Sequence, residues 1–211
     1  GEIAHSIFRG LINHGWHGGI GGAAGPIDVR WWIVFDKNCL ELSSINKACT
    51  KILDKRYKKL LPTILINDAE GSAGHQHRNL VLDILEESGE EGWVYNIDDD
   101  NALHEGFFKI WRGSLFENEP TAIVVNQLLK NGETRIGPSE SGFAPLKALP
   151  ENMKVYFVDT AQVVFNLKKI KGMRFDESRY NADGLFIRDL FDKEGNFLFI
   201  DEGLCYYNYL T

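Results

Sequence analysis

An α/β fold with a mostly parallel central sheet flanked by helices is what this sequence predicts, and three observations carry it. Short apolar runs rich in β-branched and aromatic residues recur in "VRWWIVFD" (29–36), "TILIND" (63–68) and "GWVYNI" (92–97), the composition of strands buried on both faces of a parallel sheet. Helix-compatible segments lie between them, as alternating strand-helix-strand units require. Beyond residue 118 the rhythm changes to strand and hairpin patterns, so the second half extends the sheet with mixed or antiparallel strands.

The elements follow in order. Ile3, Ile7, Phe8 and Leu11 recur at helical spacing and predict a short amphipathic opening helix. "HGWHGGIGGAAGP" (14–26) ends it with glycines and a proline; a phosphate-cradling loop runs from a strand into a helix, whereas this one precedes a strand and reads as a flexible loop. The first strand stops on Asp36. Residues up to 61 read as helix, closed by Pro62, and the second strand stops on Asp68. "EGSAG" (70–74) is a turn, and "HQHRNLVLDILEES" (75–88) sets Leu80, Leu82, Ile84 and Leu85 in a helix-compatible pattern. The third strand runs into Asp98, Asp99 and Asp100, with a helix expected over 102–111. "TAIVVNQLLK", "NGETRIG", "KVYFVDTAQVVFNL", "GNFLFIDE" and "LCYYNYL" read as strands or hairpins, "ADGLFIRDLFD" (182–192) as a helix, and "GPSESGFAPLKALP" (137–150) as a surface loop.

A chain of 211 residues suits one domain with a sizeable core. The net charge of −7 argues against a nucleic-acid partner, the basic run "KILDKRYKK" (51–59) reading as the solvated face of a helix. Cys39, Cys49 and Cys205 are odd in number and have no zinc-like spacing. No apolar run approaches the ~20 residues of a membrane helix, and no secretory pattern opens the chain. The expectation is a soluble domain, cytoplasmic or excised from a longer or membrane-anchored protein, with the oligomeric state left open.

Asp36, Asp68 and the triplet Asp98, Asp99 and Asp100 all fall at predicted strand ends, the edge at which α/β sheets bind ligands. Three adjacent carboxylates repel one another unless water or a cation separates them. Mg²⁺ and Mn²⁺ suit such a turn, being held by one or two carboxylates while keeping positions for water and substrate phosphates. Capping a following helix needs a single acid, so the triplet points to metal–phosphate chemistry. Trp93 and Tyr95 read as core residues. His75 and His77, two apart, do not share a helix face.

"HRNLVLDILEESGEEGWVYNIDDDNALHEGFF" resembles the central block of GT-A glycosyltransferases: an Arg-Asn at a helix start, about twenty residues, then an apolar strand ending in a DxD-type motif. The likeness is strongest to the β-1,3-glucuronyltransferases, with their "QRN" helix start and "DDDN" turn. It extends more weakly over 28–208, through "RWWIVFD" and through "FVDTAQVVFNL", which resembles their "VDMAGFAV" segment. The resemblance implies a GT-A-like single domain with a nucleotide-binding half (1–118) and an acceptor-binding half (119–211). It implies that Asp36 contacts the uracil, that Arg78 reaches the nucleotide or its phosphates, and that Asp98 and Asp99 face the base, ribose or sugar. Asp100 would bind Mn²⁺ (or Mg²⁺) bridging the diphosphate, and Asp68 joins the nucleotide side by its strand-end position. His77 stands where the family has glutamine. Asp183 in "RYNADGLFIRDL" matches the acceptor base, with a helix N-cap or first-turn acid as the alternative; Asp159 in "FVDTAQ" matches an acid beside the acceptor pocket, with a turn former as the alternative. Asn208 stands near the place of a histidine that contacts the diphosphate. The family's opening strand with its Pro-Thr-Tyr-like turn has no counterpart before Ile3.

The activity implied is metal-dependent transfer of a sugar from a nucleoside-diphosphate sugar, UDP favoured, to a hydroxyl of a glycan or glycoconjugate acceptor, with inversion. Two other readings stay open at this level. A sugar-nucleotidyltransferase also uses carboxylate-held Mg²⁺ but needs an early strand-to-helix phosphate loop. A non-catalytic carbohydrate- or cation-binding module would keep the fold alone.

Overall fold

β1 (Trp32–Asp36) and β2 (Thr63–Asn67) pair in parallel, with Asp36 opposite Asn67, so the two strands reach one edge together. This computed structural model describes residues 30, 32–36, 63–67, 73–98, 100–107, 119–139 and 142–209. The predicted opening helix, the glycine-rich loop, the helix before Pro62 with its basic run, Cys39, Cys49, Asp68 and Asp99 lie outside the described residues.

α1 (His75–Glu87) starts after Gly74, whose φ of 72° is a left-handed conformation that glycine adopts without a Cβ clash. The amides of His77 and Arg78 close onto the Gly74 carbonyl at 3.0 and 3.2 Å. No side chain caps the helix and no acid stands in its first turn. Its buried stripe of His75, Gln76, Asn79, Leu82 and Leu85 is polar at the start and apolar further along. The Asn67 side chain donates to the Gln76 carbonyl at 3.4 Å, tying the end of β2 to that first turn.

The larger sheet comprises β3 (Trp93–Tyr95), β4 (Ala102–Leu103), β5 (Ala122–Leu128), β8 (Val163–Asn166) and β9 (Phe197–Tyr206), in the order β3-β8-β5-β9-β4. β5 and β9 are parallel, and the other neighbours are antiparallel. The α/β class and the mixed second half are as expected, with the parallel pairing at β1–β2 and the antiparallel character beginning already at β3. β5, central and buried from Ala122 to Gln127, carries the near-continuous apolar run of a strand covered on both faces. α2 (Ala182–Glu194) lies beside α1 over one face. Leu82 of α1 and Phe186, Ile187 and Leu190 of α2 close over Ala122, Val124, Val163 and Phe165. Phe186 stacks on Phe175 at 4.3 Å and meets Phe165 edge-on at 5.4 Å.

Three local expectations need correction. Residues 102 and 103 do not begin a helix: they pair with Tyr206 and Cys205 as β4, and both are buried. Burial of that pair against the last strand overrides the local helical pattern. The expected surface loop contains a hairpin, β6 (Ile136–Ser139) against β7 (Gly142–Pro145). Pro138 and Pro145 stand within this hairpin, since a two-stranded ribbon has an outer edge on which a missing N–H is tolerated. "GNFLFIDE" and "LCY" join into the one strand β9, whose register against β5 shifts between Val125, Asn126 and Gln127. A Cβ on Gly203 would lie 2.2 Å from Leu128 Cδ2, so the Leu128 side chain packs over the bare backbone there and would have to shift for any other residue. Among the described residues no helix is long and apolar enough to cross a membrane.

Asn79, a polar residue in the core, holds the segment leading to α2. Its Nδ2 donates to the Phe175 carbonyl at 2.9 Å and to Glu177 Oε1 at 2.8 Å, and its Oδ1 accepts from the Phe175 amide at 2.8 Å. Asn79→Leu keeps the branched shape without its hydrogen-bonding groups and strands both buried backbone groups of Phe175. We expect it to lower the unfolding free energy by about 2–4 kcal/mol, read as a lower urea midpoint at unchanged slope; an unchanged midpoint would show that Asn79 does not hold this segment.

Candidate active site

Arg78 stands in the first turn of α1, and its guanidinium is held on several sides. Nη1 donates to the Ala73 carbonyl at 2.8 Å and to His75 Nδ1 at 2.9 Å, while Nη2 donates to Asp98 Oδ1. The guanidinium carbon lies 5.9 Å from the Phe175 ring centroid. The Arg78 side chain is 12% exposed and the Asp98 side chain 42% exposed, so the cation is the buried member and the carboxylate faces outward.

His75 is buried, at 1% exposure. Because a guanidinium only donates, Nδ1 must accept, leaving the proton on Nε2, which faces the Tyr180 carbonyl at 3.4 Å. The ring stacks on Phe175 at 5.6 Å with planes 8° apart. Burial, and after it the Arg78 charge, depress the His75 pKa; the Tyr180 carbonyl and the charges of Asp183 and Asp98 pull the other way. A neutral imidazole therefore joins Arg78 to the approach to α2.

The acidic turn is closed by the Asn101 amide, which donates to the Asp98 carbonyl at 3.2 Å. Asn101 is buried, and its Oδ1 accepts from the Asn208 amide at 2.9 Å. Asn208, at φ 46°, is thus brought to the turn through its backbone. Asp100 is half-buried in the same turn.

Asp159 caps the short 3₁₀ turn Thr160–Gln162 in a reciprocal box: its Oδ1 accepts from the Ala161 amide at 2.7 Å, and its own amide donates to Gln162 Oε1 at 3.1 Å. Gln127 Nε2 also donates to Oδ1 at 3.2 Å, and Arg135 Nη1 lies 3.9 Å from Oδ2. Arg135 is itself fixed by Gln127 Oε1 at 2.7 Å and by the Tyr207 ring at 4.1 Å. Burial raises the Asp159 pKa to about 6; the Ala161 amide and Arg135 oppose the rise, and the charges of Asp98 and Asp183 add to it. Asp183 lies half-buried in the first turn of α2, its Oδ1 accepting from the Gly184 amide at 2.8 Å.

The charges of Asp98 and Asp183 thus act on both His75 and Asp159, and that of Arg78 on His75, while the Asn101 bonds tie Asn208 to the acidic turn that holds Asp98 and Asp100. Asp36 closes β1, but its side chain, with Asp68 and Asp99, lies outside the described residues. Tyr95, expected in the core, is half-buried, its ring 4.7 Å from that of Phe107 and its hydroxyl donating to the Ala161 carbonyl at 2.8 Å. His75, Gln127 and Arg135 are the residues sequence reasoning missed. His75 had a usable signal, its i,i+3 spacing to Arg78, whereas Gln127 and Arg135 meet Asp159 only through tertiary contacts.

The donor set also bears on the metal. Asp98 is engaged by Arg78, and among the described residues no three His, Cys, Asp or Glu side chains surround one point. That does not fit a closed, protein-made metal site among the described residues.

No family model and no curated protein matches the chain. Solved structures do. The chain is similar to S. aureus TarS 1–349 in complex with UDP, with a TM-score of 0.66 and 15% identity over 98% of this chain and 55% of that one. It is similar to S. aureus TarS with a TM-score of 0.64 and 15% identity, over 97% of this chain and 33% of that one. Its likeness to TarS 1–349 in complex with UDP-GlcNAc has a TM-score of 0.56 and 16% identity, over 86% of this chain and 50% of that one. The chain therefore spans about half, or less, of the TarS chains it matches. At these identities the likeness is one of fold, and it agrees with the GT-A-like α/β architecture expected from the sequence.

The raised pKa of Asp159 has a consequence for stability. The unfolded chain ionises this carboxyl near pH ~4 and the folded chain at about 6, so its contribution is whole below the first value and lost as the pH rises through the second. Asp159→Asn carries no charge at any pH. It is expected to remove about 2–3 kcal/mol of the decline in unfolding free energy between pH 4 and 7, measured by urea unfolding across that range; parallel curves for the two proteins would contradict the buried-carboxylate reading.

Proposed function

We propose that the chain is the GT-A-like domain of a nucleotide-sugar glycosyltransferase that moves a sugar from a UDP sugar to a hydroxyl acceptor with inversion. The observation that carries the reading is the Arg78–Asp98 pair at the uncapped start of α1. A helix N-terminus and a guanidinium together suit a diphosphate. The fold likeness to structures determined with UDP and UDP-GlcNAc supports the same ligand class.

On this reading residues 1–118 bind the nucleotide and 119–211 the acceptor. Arg78 faces the diphosphate, with Asp98 fixing its fork. Asp36, Asp68 and Asp99 lie on the base, ribose and sugar side, and Asn208 lies near the phosphates. Asp100 would hold Mn²⁺ or Mg²⁺, which when bound neutralises charge on the departing nucleoside diphosphate. Asp183 takes the proton of the acceptor hydroxyl as that oxygen attacks the anomeric carbon from the side opposite the diphosphate. The bond to the diphosphate oxygen breaks, UDP leaves with the electron pair, and the configuration inverts. Asp159, anchored by its cap and by Gln127, lies on the acceptor side.

Isothermal titration with UDP, with and without Mn²⁺, tests the reading; absence of binding in both conditions sinks it. Arg78→Ala is expected to weaken UDP binding by about tenfold or more, and Asp100→Asn to abolish the gain from Mn²⁺. Asp183→Asn should leave UDP binding intact while lowering transfer by about 10²–10⁴-fold. Unimpaired transfer in that variant would move the base elsewhere.

A further inference from the structure

Two solvent-facing tyrosines flank the proposed base. Tyr180 is 80% exposed and stands three residues before Asp183 in the turn that leads into α2, and Tyr156 is 69% exposed. Tyr156 has φ 73°, a left-handed conformation that costs a bulky L-residue about 1–2 kcal/mol. So little of its ring is buried that packing does not offset this. Glycine would hold the same turn without strain, so the exposed ring face, as distinct from the hydroxyl, is left for something other than packing.

The surroundings fix where the ring is offered. The turn is closed by the amides of Phe157 and Val158 on the Lys154 carbonyl at 3.0 and 3.4 Å. The Tyr156 hydroxyl accepts from Asn181 Nδ2 at 3.0 Å, and Asn181 is the N-cap residue of α2. A Cβ on Gly184, the residue after Asp183, would lie 3.2 Å from Val155 Cα and 3.3 Å from the Tyr156 amide nitrogen, so the bare glycine lets this turn press against the first turn of α2. On the other side, the Tyr180 carbonyl faces His75 Nε2 at 3.4 Å.

We propose that Tyr156 and Tyr180 form an aromatic platform that seats the C–H face of an acceptor pyranose beside Asp183. Aromatic rings with polar tips present an apolar face and a hydrogen-bonding edge together, which matches a sugar ring with C–H groups on its faces and hydroxyls on its rim. A wholly apolar occupant would desolvate the neighbouring Asp183 carboxylate without a partner for it, whereas a hydroxylated one supplies the partner. The proposal rests on Asp183 being the base and assigns the acceptor its chemical class.

The test is saturation-transfer difference NMR on the UDP-loaded protein with the methyl β-pyranosides of glucose, galactose and N-acetylglucosamine as probes. Transfer to ring C–H protons is expected from at least one of them. Tyr156→Gly and Tyr180→Ala should each reduce it by about fivefold or more, with UDP titrations unchanged. Tyr156→Gly should also unfold at the same or a higher temperature than the parent, so that its loss of signal is not a loss of fold. No transfer from any probe in the parent protein, or equal transfer in the variants, overturns the platform. Failure of UDP itself to bind, measured without glycoside, overturns the glycosyltransferase reading instead.

Discussion

The Arg78 guanidinium is the joint on which the arrangement of this protein depends. A cation so nearly buried must be met by acceptors, and it is met by three from different origins: a carbonyl of the turn before α1, an imidazole of the same helix, and a carboxylate from beyond β3. Each acceptor fixes an element. The helix start, the end of β3 and the acidic turn are set relative to one another by one planar fork, which lysine, a rotating point charge, would not reproduce. The pair also singles out Asp98 within the acidic triplet, since its carboxylate is the one that Arg78 engages.

The same helical turn organises the other half of the site. His75, Arg78 and Asn79 lie three and four apart and share one face, and all three act on Phe175: one stacks on its ring, one lies over the ring, and one pairs with both of its backbone groups. Phe175 in turn stacks on Phe186 of α2. The chain is thereby held along the stretch that leads to Asp183, so the start of α2 is positioned by residues of α1. Asp159 arrives independently on its capped turn between β5 and β8, supported by Gln127 and Arg135. Its discomfort in the charged form marks a carboxylate kept where burial does not favour it, which is common where chemistry or binding needs one.

Much of this was legible in the residues. The strands β1, β2 and β5 and the helices α1 and α2 carry long periodic or continuous apolar patterns, and each is found where those patterns lie. The pieces that were not legible are those in which a distant partner decides. Ala102 and Leu103 follow a polar turn and look helical until Cys205 and Tyr206 are seen beside them. Pro138 and Pro145 look like loop formers until their ribbon is seen to have an outer edge. In the site, Arg78 and Asp98 are reached through a motif twenty residues long, because a helix and the following strand place their ends side by side. Gln127 and Arg135 belong to no motif, since they meet Asp159 only through the sheet and the turn between β5 and β6.

Amide NMR during a titration with UDP tests most directly whether the Arg78 joint seats a nucleotide. The largest shift changes are expected at His75, Gln76, His77 and Arg78 in the first turn of α1 and at Asp98, Asp100 and Asn101 in the acidic turn, with the C-terminal half of α1 still. Shift changes that spare both turns, or no changes at all, would contradict it.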